Sequence, residues 1–424
     1  MNSFKKITRT TLFKITSLNS FSVGLKIGIG IITSKVFAIF VGPGGIALVG
    51  NLRNFLTSLE TISTLGFQNG VVKYAAENQK NKSELQKIIA TVFICLIVVA
   101  VILSGLLFFF AVHWNNKIFN NYFDYSIVFK VLALALPWYA VSIFLLAVLN
   151  GLSQFKKVIL VNIIGNVIGL IVSVLMIFYF KTLGALLAVV ISPALLFIVT
   201  FYFINREIHF LSSVRLHLFD FTIIKNLSSY SLMALVSSVL GPIVFLAIRN
   251  KIIENLGIDQ AGFWETITRI SSYYLMFIST ILTVYFLPKL SVAKNNKETK
   301  TIFWSFYKSI LPVFILGLVV IYFTRFFIIQ LLFTKEFLPV ARLFLWQLIG
   351  DVFKVASLIL GYQFFAKKMT KAFIISELLS LTILYFSSMY FMNLFGIRGV
   401  VIAQAFDNFI YLIVLCVYFR KNLI

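Results

Sequence analysis

The chain has 424 residues, of which 60% are hydrophobic, 16% aromatic and only 12% charged, and its mean hydropathy is +0.99. Such a composition excludes a soluble enzyme and implies an integral membrane protein. Runs such as Val92 to Val112 are apolar on every side instead of alternating, which excludes a transmembrane β-barrel and predicts an all-α chain of helical spans. The net charge of +23, from 37 Lys and Arg against 14 Asp and Glu, has to be located before it is interpreted.

Hydropathy predicts about twelve spans, over 20–40, 46–71, 88–112, 127–149, 158–179, 183–204, 227–249, 262–287, 302–323, 341–363, 372–392 and 399–419. With the N-terminus inside, alternation through these spans puts roughly 22 basic residues on the side of the termini, beginning with Lys5, Lys6, Arg9 and Lys14, and about 7 on the other. Positive-inside bias therefore accounts for most of the charge, predicts cytoplasmic termini and removes the need for a nucleic-acid partner.

The N-terminal basic stretch runs into an apolar segment that Lys26 and Lys35 interrupt, and no small-residue cleavage site closes it, so it reads as a retained first span. Nine residues put the two lysines on opposite sides of a helix. Lys26 is the one expected to face a central cavity, with Lys35 snorkelling to the interface. The GPGG run at 42–45 lacks the lysine of a phosphate-binding loop and is expected to be a tight turn.

The second span is the least apolar. Arg53, Thr57, Glu60, Thr61, Thr64 and Gln68 fall on one helical stripe. An Arg at the bilayer centre costs about 2.5–3.5 kcal/mol on the insertion scale, so the stripe is expected to face protein or water. Cys95 and Cys416 sit in apolar runs as packing residues. His113, His209 and His217 show no metal spacing, and no nucleophile with a matched acid and base appears.

A polar break at 205–225 divides the chain into a six-helix lobe over 1–204 and another over 226–424, with a cytoplasmic linker between them. The eighth span repeats the design of the second with Glu265, Arg269, Ser272, Thr280 and Thr283. The four-residue spacing predicts an intrahelical Glu265–Arg269 pair. Shifting the sequence by 216 carries Arg53 onto Arg269 and Lys73 onto Lys289; shifting by 210 carries Gly151, Phe155 and Lys157 onto Gly361, Phe365 and Lys367. A parallel duplication of six spans is expected. The tenth span aligns Gln347, Asp351 and Lys354 on one face, predicting an Asp351–Lys354 pair. Glu377 and Asp407 stand as isolated acids in the last two spans, each a candidate proton or sodium site.

VGPGGIALVGNLRN at 41–54 and GFQNGVVKYAA at 66–76 resemble the first spans of Wzx-type polysaccharide flippases. More specific resemblance to the lipid III and O-antigen translocase branch lies in SYSLMALVSSVLGPIVFLAIRNK at 229–251, GFWETITRISSYYLMFISTILTVYFLPKLS at 262–291 and WQLIGDVFKVASLILGYQFFAKK at 346–368. It implies a member of the multidrug/oligosaccharidyl-lipid/polysaccharide exporter (MOP) superfamily, MATE-like, with two six-helix lobes forming a V around a central cavity. The implied substrate is an undecaprenyl-diphosphate-linked oligosaccharide, passed from the cytoplasmic to the periplasmic leaflet of a bacterial inner membrane. Other polysaccharide-assembly proteins are the implied partners, and no cofactor is implied beyond coupling to H+ or Na+. On this reading Arg53, Arg269, Lys26 and Lys354 supply the cations that a diphosphate needs. Trp138, Tyr273 and Tyr274, with the Ser/Thr stripes, offer surface for the sugar. Asp351, Glu60, Glu265, Asp407 and Glu377 are the acids available for ion pairing or coupling. A multidrug extruder of the same superfamily is the alternative, disfavoured because buried bases outnumber buried acids, and a membrane-embedded glycan polymerase or ligase lacks the large periplasmic loop it needs. Alternating access predicts that the outer ends of spans two and eight, near Leu48 and Phe263, part and close as the lobes rock.

Overall fold

Local signals decide where the helices begin and stop. In a computed structural model, which describes residues 11–423 apart from 122, 209 and 211–213, no strand occurs among the described residues. Lys5, Lys6, Arg9 and His209 lie outside them. The first helix, α1 (Thr11–Phe40), leads directly into α2 (Gly42–Ser63). The turn is confined to Val41 and Gly42, whose φ is +70°. Most of GPGG is therefore the first turn of α2 and not a loop, because Pro43 at a helix start sacrifices only an amide that has no intrahelical partner. The expected second span is broken by left-handed backbone at Leu65 and Gly66 (φ 53° and 64°), after which α3 (Gln68–Glu77) resumes.

Asn81 caps α4 (Lys82–Phe109) by accepting from the Glu84 amide at 3.3 Å. Short α5 (Ala111–Phe119) and long α6 (Ser126–Gly151) follow. The next helical stretch, α7 (Phe155–Asn205), is 51 residues long but breaks at Lys181, with φ 50° and ψ −123°. At 1.5 Å per residue such a length is more than twice a bilayer's hydrocarbon core, so it holds two spans folded back on each other. Gly184 makes the fold-back close: a Cβ there would lie 1.8 Å from the Met176 carbonyl oxygen.

After a polar segment come α8 (Phe221–Leu235), a π-turn (Val236–Leu240) and α9 (Gly241–Leu256). Asp220 ties the segment down: its amide donates to Thr91 Oγ1 at 3.0 Å, and its carboxylate accepts from the Thr222 amide at 2.8 Å. Hydrogen bonds from the Thr222 hydroxyl and amide hold that exposed carboxyl below the usual aspartate value. Then follow α10 (Ile258–Ile281), a second π-turn (Leu282–Phe286) and α11 (Leu287–Val292). The chain continues through α12 (Asn296–Leu332), a 3-10 segment (Lys335–Arg342), α13 (Phe344–Ala366), α14 (Thr370–Phe395), α15 (Ile397–Tyr418) and α16 (Arg420–Leu423).

Ten helical stretches among the described residues are long and apolar enough to cross a membrane. The difference from twelve has two sources. The two spans within Phe155–Asn205 form one continuous apolar stretch, and α2, with its polar stripe, is not apolar enough to qualify. The protein is an all-α, polytopic membrane protein.

The chain packs as two compact units: the first runs to Val41 and resumes from Asn51 to Pro242, and the second takes Gly42–Gly50 and everything from Ile243 on. Helix α2 is thus divided between them, its first turns clustering with the second unit. The core of the first unit is built from Phe67 just before α3 and Val71 within it, Val92 and Leu96 of α4, and Phe144, Leu145 and Val148 of α6, with Leu227 of α8. In the second, Val355, Ile359, Leu360 and Phe364 of α13 are buried, and the Phe286 and Phe306 rings meet edge to face at 5.3 Å.

Candidate functional site: buried polar clusters within each unit

In the first unit, α2 carries the polar stripe. The hydroxyls of Thr57, Thr61 and Thr64 donate back to the carbonyls of Arg53, Thr57 and Glu60 at 2.9, 3.1 and 2.8 Å. Each hydroxyl proton is thereby satisfied within the helix, and its oxygen keeps a free lone pair for a ligand or water. Glu60 is held across helices: Tyr139 OH donates to Oε2 at 2.6 Å and Gln68 Nε2 to Oε1 at 3.4 Å. Arg53 is half-buried, its guanidinium carbon 5.9 Å from the centre of the Phe37 ring. Lys26 is exposed and Lys35 half-buried.

In the second unit, Asp351 of α13 is 1% exposed. It accepts from Ser271 Oγ at 2.7 Å, from Tyr274 OH, and from Gln347 Nε2 at 3.2 Å. Two of those donors come from α10, two and five residues beyond Arg269, so the carboxylate fixes α10 against α13 beside that arginine. Lys354 is exposed and acts through space on Asp351, on Glu377 of α14 and on Asp407 of α15. Asp407, itself 6% exposed, accepts from Ser380 Oγ at 2.9 Å. Three consecutive helices, α13, α14 and α15, thus bring one lysine and three carboxylates within electrostatic reach of one another.

Two expected pairings differ. The Glu265 carboxylate is held by Arg249 of α9, at 2.5 Å, and not by Arg269 four residues on. A cross-helix guanidinium approaches end-on, whereas an i,i+4 partner must bend along the helix surface. Arg249 also lies 5.2 Å from the Trp264 ring centre, and that indole stacks on Phe245 at 5.6 Å and donates to Gln404 at 3.0 Å. Likewise, Asp351 takes three neutral donors in place of a direct Lys354 pair. Glu377 and Asp407, read as isolated, share the field of Lys354.

Sequence reasoning missed Arg249 and Tyr139. Arg249 closes a span that counting treats as an interfacial end, and Tyr139 follows Trp138 in an apolar run. No charge pattern singled them out, because Arg269, four residues on, already offered Glu265 a partner and Arg53 shares the stripe of Glu60. Tyr274, assigned to a sugar surface, is engaged with Asp351; Trp138 is 53% exposed and packs on Phe197 at 5.0 Å. Leu48 and Phe263 are both buried and both in the second unit, so their separation does not report on movement between units. No cluster of metal-ligating side chains occurs among the described residues.

Two compact units of long apolar helices, with charges inside their spans, define a polytopic membrane protein. Its fold is shared with solved transporters: an inward-facing multidrug resistance MATE family transporter of the MOP superfamily superposes with a TM-score of 0.74 over 95% of this chain and 94% of that one, at 16% identity. Lipid II flippase MurJ in an inward closed conformation superposes with a TM-score of 0.71 over 96% and 87%, also at 16% identity. The profile of the family described as "Polysaccharide biosynthesis protein" matches residues 12–294, and the chain belongs to that family. Lipid III flippase of Escherichia coli (strain K12) is 28% identical over 407 residues, covering 96% of this chain and 97% of the relative. The resemblance to Wzx-type flippases read from the sequence agrees with these matches.

Proposed function

We propose that the protein is a non-enzymatic flippase that moves an undecaprenyl-diphosphate-linked oligosaccharide from the cytoplasmic to the periplasmic leaflet of a bacterial inner membrane, with both termini in the cytoplasm. The observation that carries this reading is the similarity to a lipid III flippase along nearly the full length of both chains. The chemistry of the spans supports it. A diphosphate needs cations in a low-dielectric setting, and Arg53, Arg269, Lys26 and Lys354 are the bases assigned to it. The back-bonded threonine hydroxyls of α2 offer acceptors to sugar hydroxyls. The halves 1–204 and 226–424, joined by 205–225, act as lobes in alternating access. Lys354 with Asp351, Glu377 and Asp407 forms the coupling centre, where a proton or sodium ion balances the excess of carboxylates.

The deciding experiment is transport of lipid-linked oligosaccharides in proteoliposomes, with Arg53→Ala and Arg269→Ala compared with the native protein at matched insertion. Each variant is expected to lose at least tenfold in flipping rate. Normal transport by both would remove the head-group role, and transport of cationic drugs without the lipid-linked sugar would replace this reading by a drug extruder. Unchanged rate and pH dependence in Asp351→Asn would take Asp351 out of the coupling scheme.

A further inference from the structure

At the end of the second unit opposite the C-terminal end of α15, three connections meet: the α9–α10 junction, the 3-10 segment with the end of α12, and the α14–α15 turn. They enclose a cavity of about 1070 Å³. Gln260, Tyr322, Arg325, Phe326, Arg342 and Arg398 are the lining residues with chemistry to offer, and no carboxylate lines it. Among the described residues none of the three arginines forms an ion pair. Glu254, Asp259 and Glu336 occur on the same connections but do not line the cavity.

The arginines differ in how they are held. Arg325 is preorganised: Nη1 donates to the Tyr322 carbonyl at 2.6 Å, and the guanidinium lies 4.2 and 4.7 Å from the Tyr322 and Phe326 ring centres. That fixes its plane and leaves other N–H donors available. Arg342 and Arg398 are exposed, and among the described residues neither is paired with a carboxylate. By the charge count this end is the base-poor, outer side of the membrane, where a convergence of three arginines runs against the overall bias. Tyr322 beside them is of the residue type enriched at membrane interfaces. Guanidinium forks suit phosphate oxygens in pairs, and the volume is that of a headgroup-sized ligand and far exceeds a single ion.

We propose that this cavity binds the phosphate headgroup of a membrane lipid in the leaflet it faces. The inference goes beyond the flippase reading, since it requires no transport. A phosphodiester of a resident phospholipid and the diphosphate of a polyprenyl carrier share the chemistry that the arginines recognise.

The test uses the purified full-length protein in phosphatidylcholine nanodiscs that contain phosphatidylglycerol, undecaprenyl diphosphate or neither, with inorganic diphosphate added to the last. Amide hydrogen exchange over 338–345 and 395–398 locates binding without any variant, and native mass spectrometry of the released protein counts retained lipid. Protection of both segments with one anionic lipid retained is expected. Arg342→Gln and Arg398→Gln should each weaken retention about tenfold, Arg342→Lys should restore part of it, and Lys308→Gln on α12 should change nothing. Response to phosphatidylglycerol alone identifies a resident phospholipid, and response to undecaprenyl diphosphate alone identifies the carrier; either supports the proposal. Response to inorganic diphosphate but to neither lipid overturns it, as does equal retention by the Arg342→Gln, Arg398→Gln double variant without protection of the two segments. A protein that fails to flip yet shows this protection separates the two readings.

Discussion

The two units solve the same problem, polar side chains inside apolar spans, with different chemistry. All four charged residues that are buried among the described residues, Arg249, Arg269, Asp351 and Asp407, belong to the second unit. The buried polar side chains of the first are hydroxyls and amides such as Asn51, Ser58, Thr61, Thr64, Ser142 and Thr200. Hydroxyls that bond back to their own helix cost little wherever they face, whereas an ion out of water needs a partner with good geometry. The first unit therefore tolerates change along its stripe, and the second is committed to particular pairs.

The sharpest way to break that contrast is at Arg249. Arg249→Ala leaves Glu265 without its guanidinium and should cost about 3–5 kcal/mol, read as a lowered midpoint of thermal unfolding in detergent. Replacing both, with Arg249→Met and Glu265→Leu, should recover most of the loss. If the single variant unfolds like the native protein, the second unit is no more dependent on ion pairs than the first.

A smaller effect should be common to both units. Gly184 and Gly399 stand at the start of the second helix of their hairpins, 215 residues apart, and a Cβ would lie 1.8 Å from the Met176 carbonyl oxygen and 1.9 Å from that of Phe391. Gly184→Ala and Gly399→Ala should each force the hairpin open at a cost of about 3 kcal/mol. Monodisperse yield and unfolding temperature would register it; tolerance in one unit alone would mean that the hairpins are not equivalent.

The smallest expected effect compares two tyrosines that each donate to a carboxylate. Tyr274→Phe removes a bond to buried Asp351 and should cost about 1.5–3 kcal/mol. Tyr139→Phe, beside half-buried Glu60, should cost about 1 kcal/mol, because water can reach the freed oxygen. Equal shifts in unfolding temperature would show that Glu60 is as dry as Asp351.

The expected duplication rests on Arg53 and Arg269, and the structure offers further positions at the same offset. Leu65 and Gly66, where the second span breaks, fall 216 residues before Ile281 and Leu282, where α10 gives way to a π-turn. Gly184 and Gly399 repeat at nearly the same offset. Isolated glycines in apolar runs look alike in a sequence; only the approaching carbonyl shows which are required.

The sequence by itself determined the class, the helical content and most span positions, because a bilayer demands long apolar helices and leaves little freedom over roughly 20 residues. It also pointed to the residues that are costly to bury, since charge inside a span is legible wherever it occurs. Which charge meets which was decided by tertiary structure. Arg249 and Glu265 are 16 positions apart, and Ser271 and Asp351 are 80 apart; such pairs form where neighbouring helices cross, and one-dimensional periodicity carries no record of a crossing. The division of α2 between units is of the same kind, because a helix joins whichever neighbours bury its surface, and those neighbours lie elsewhere in the chain.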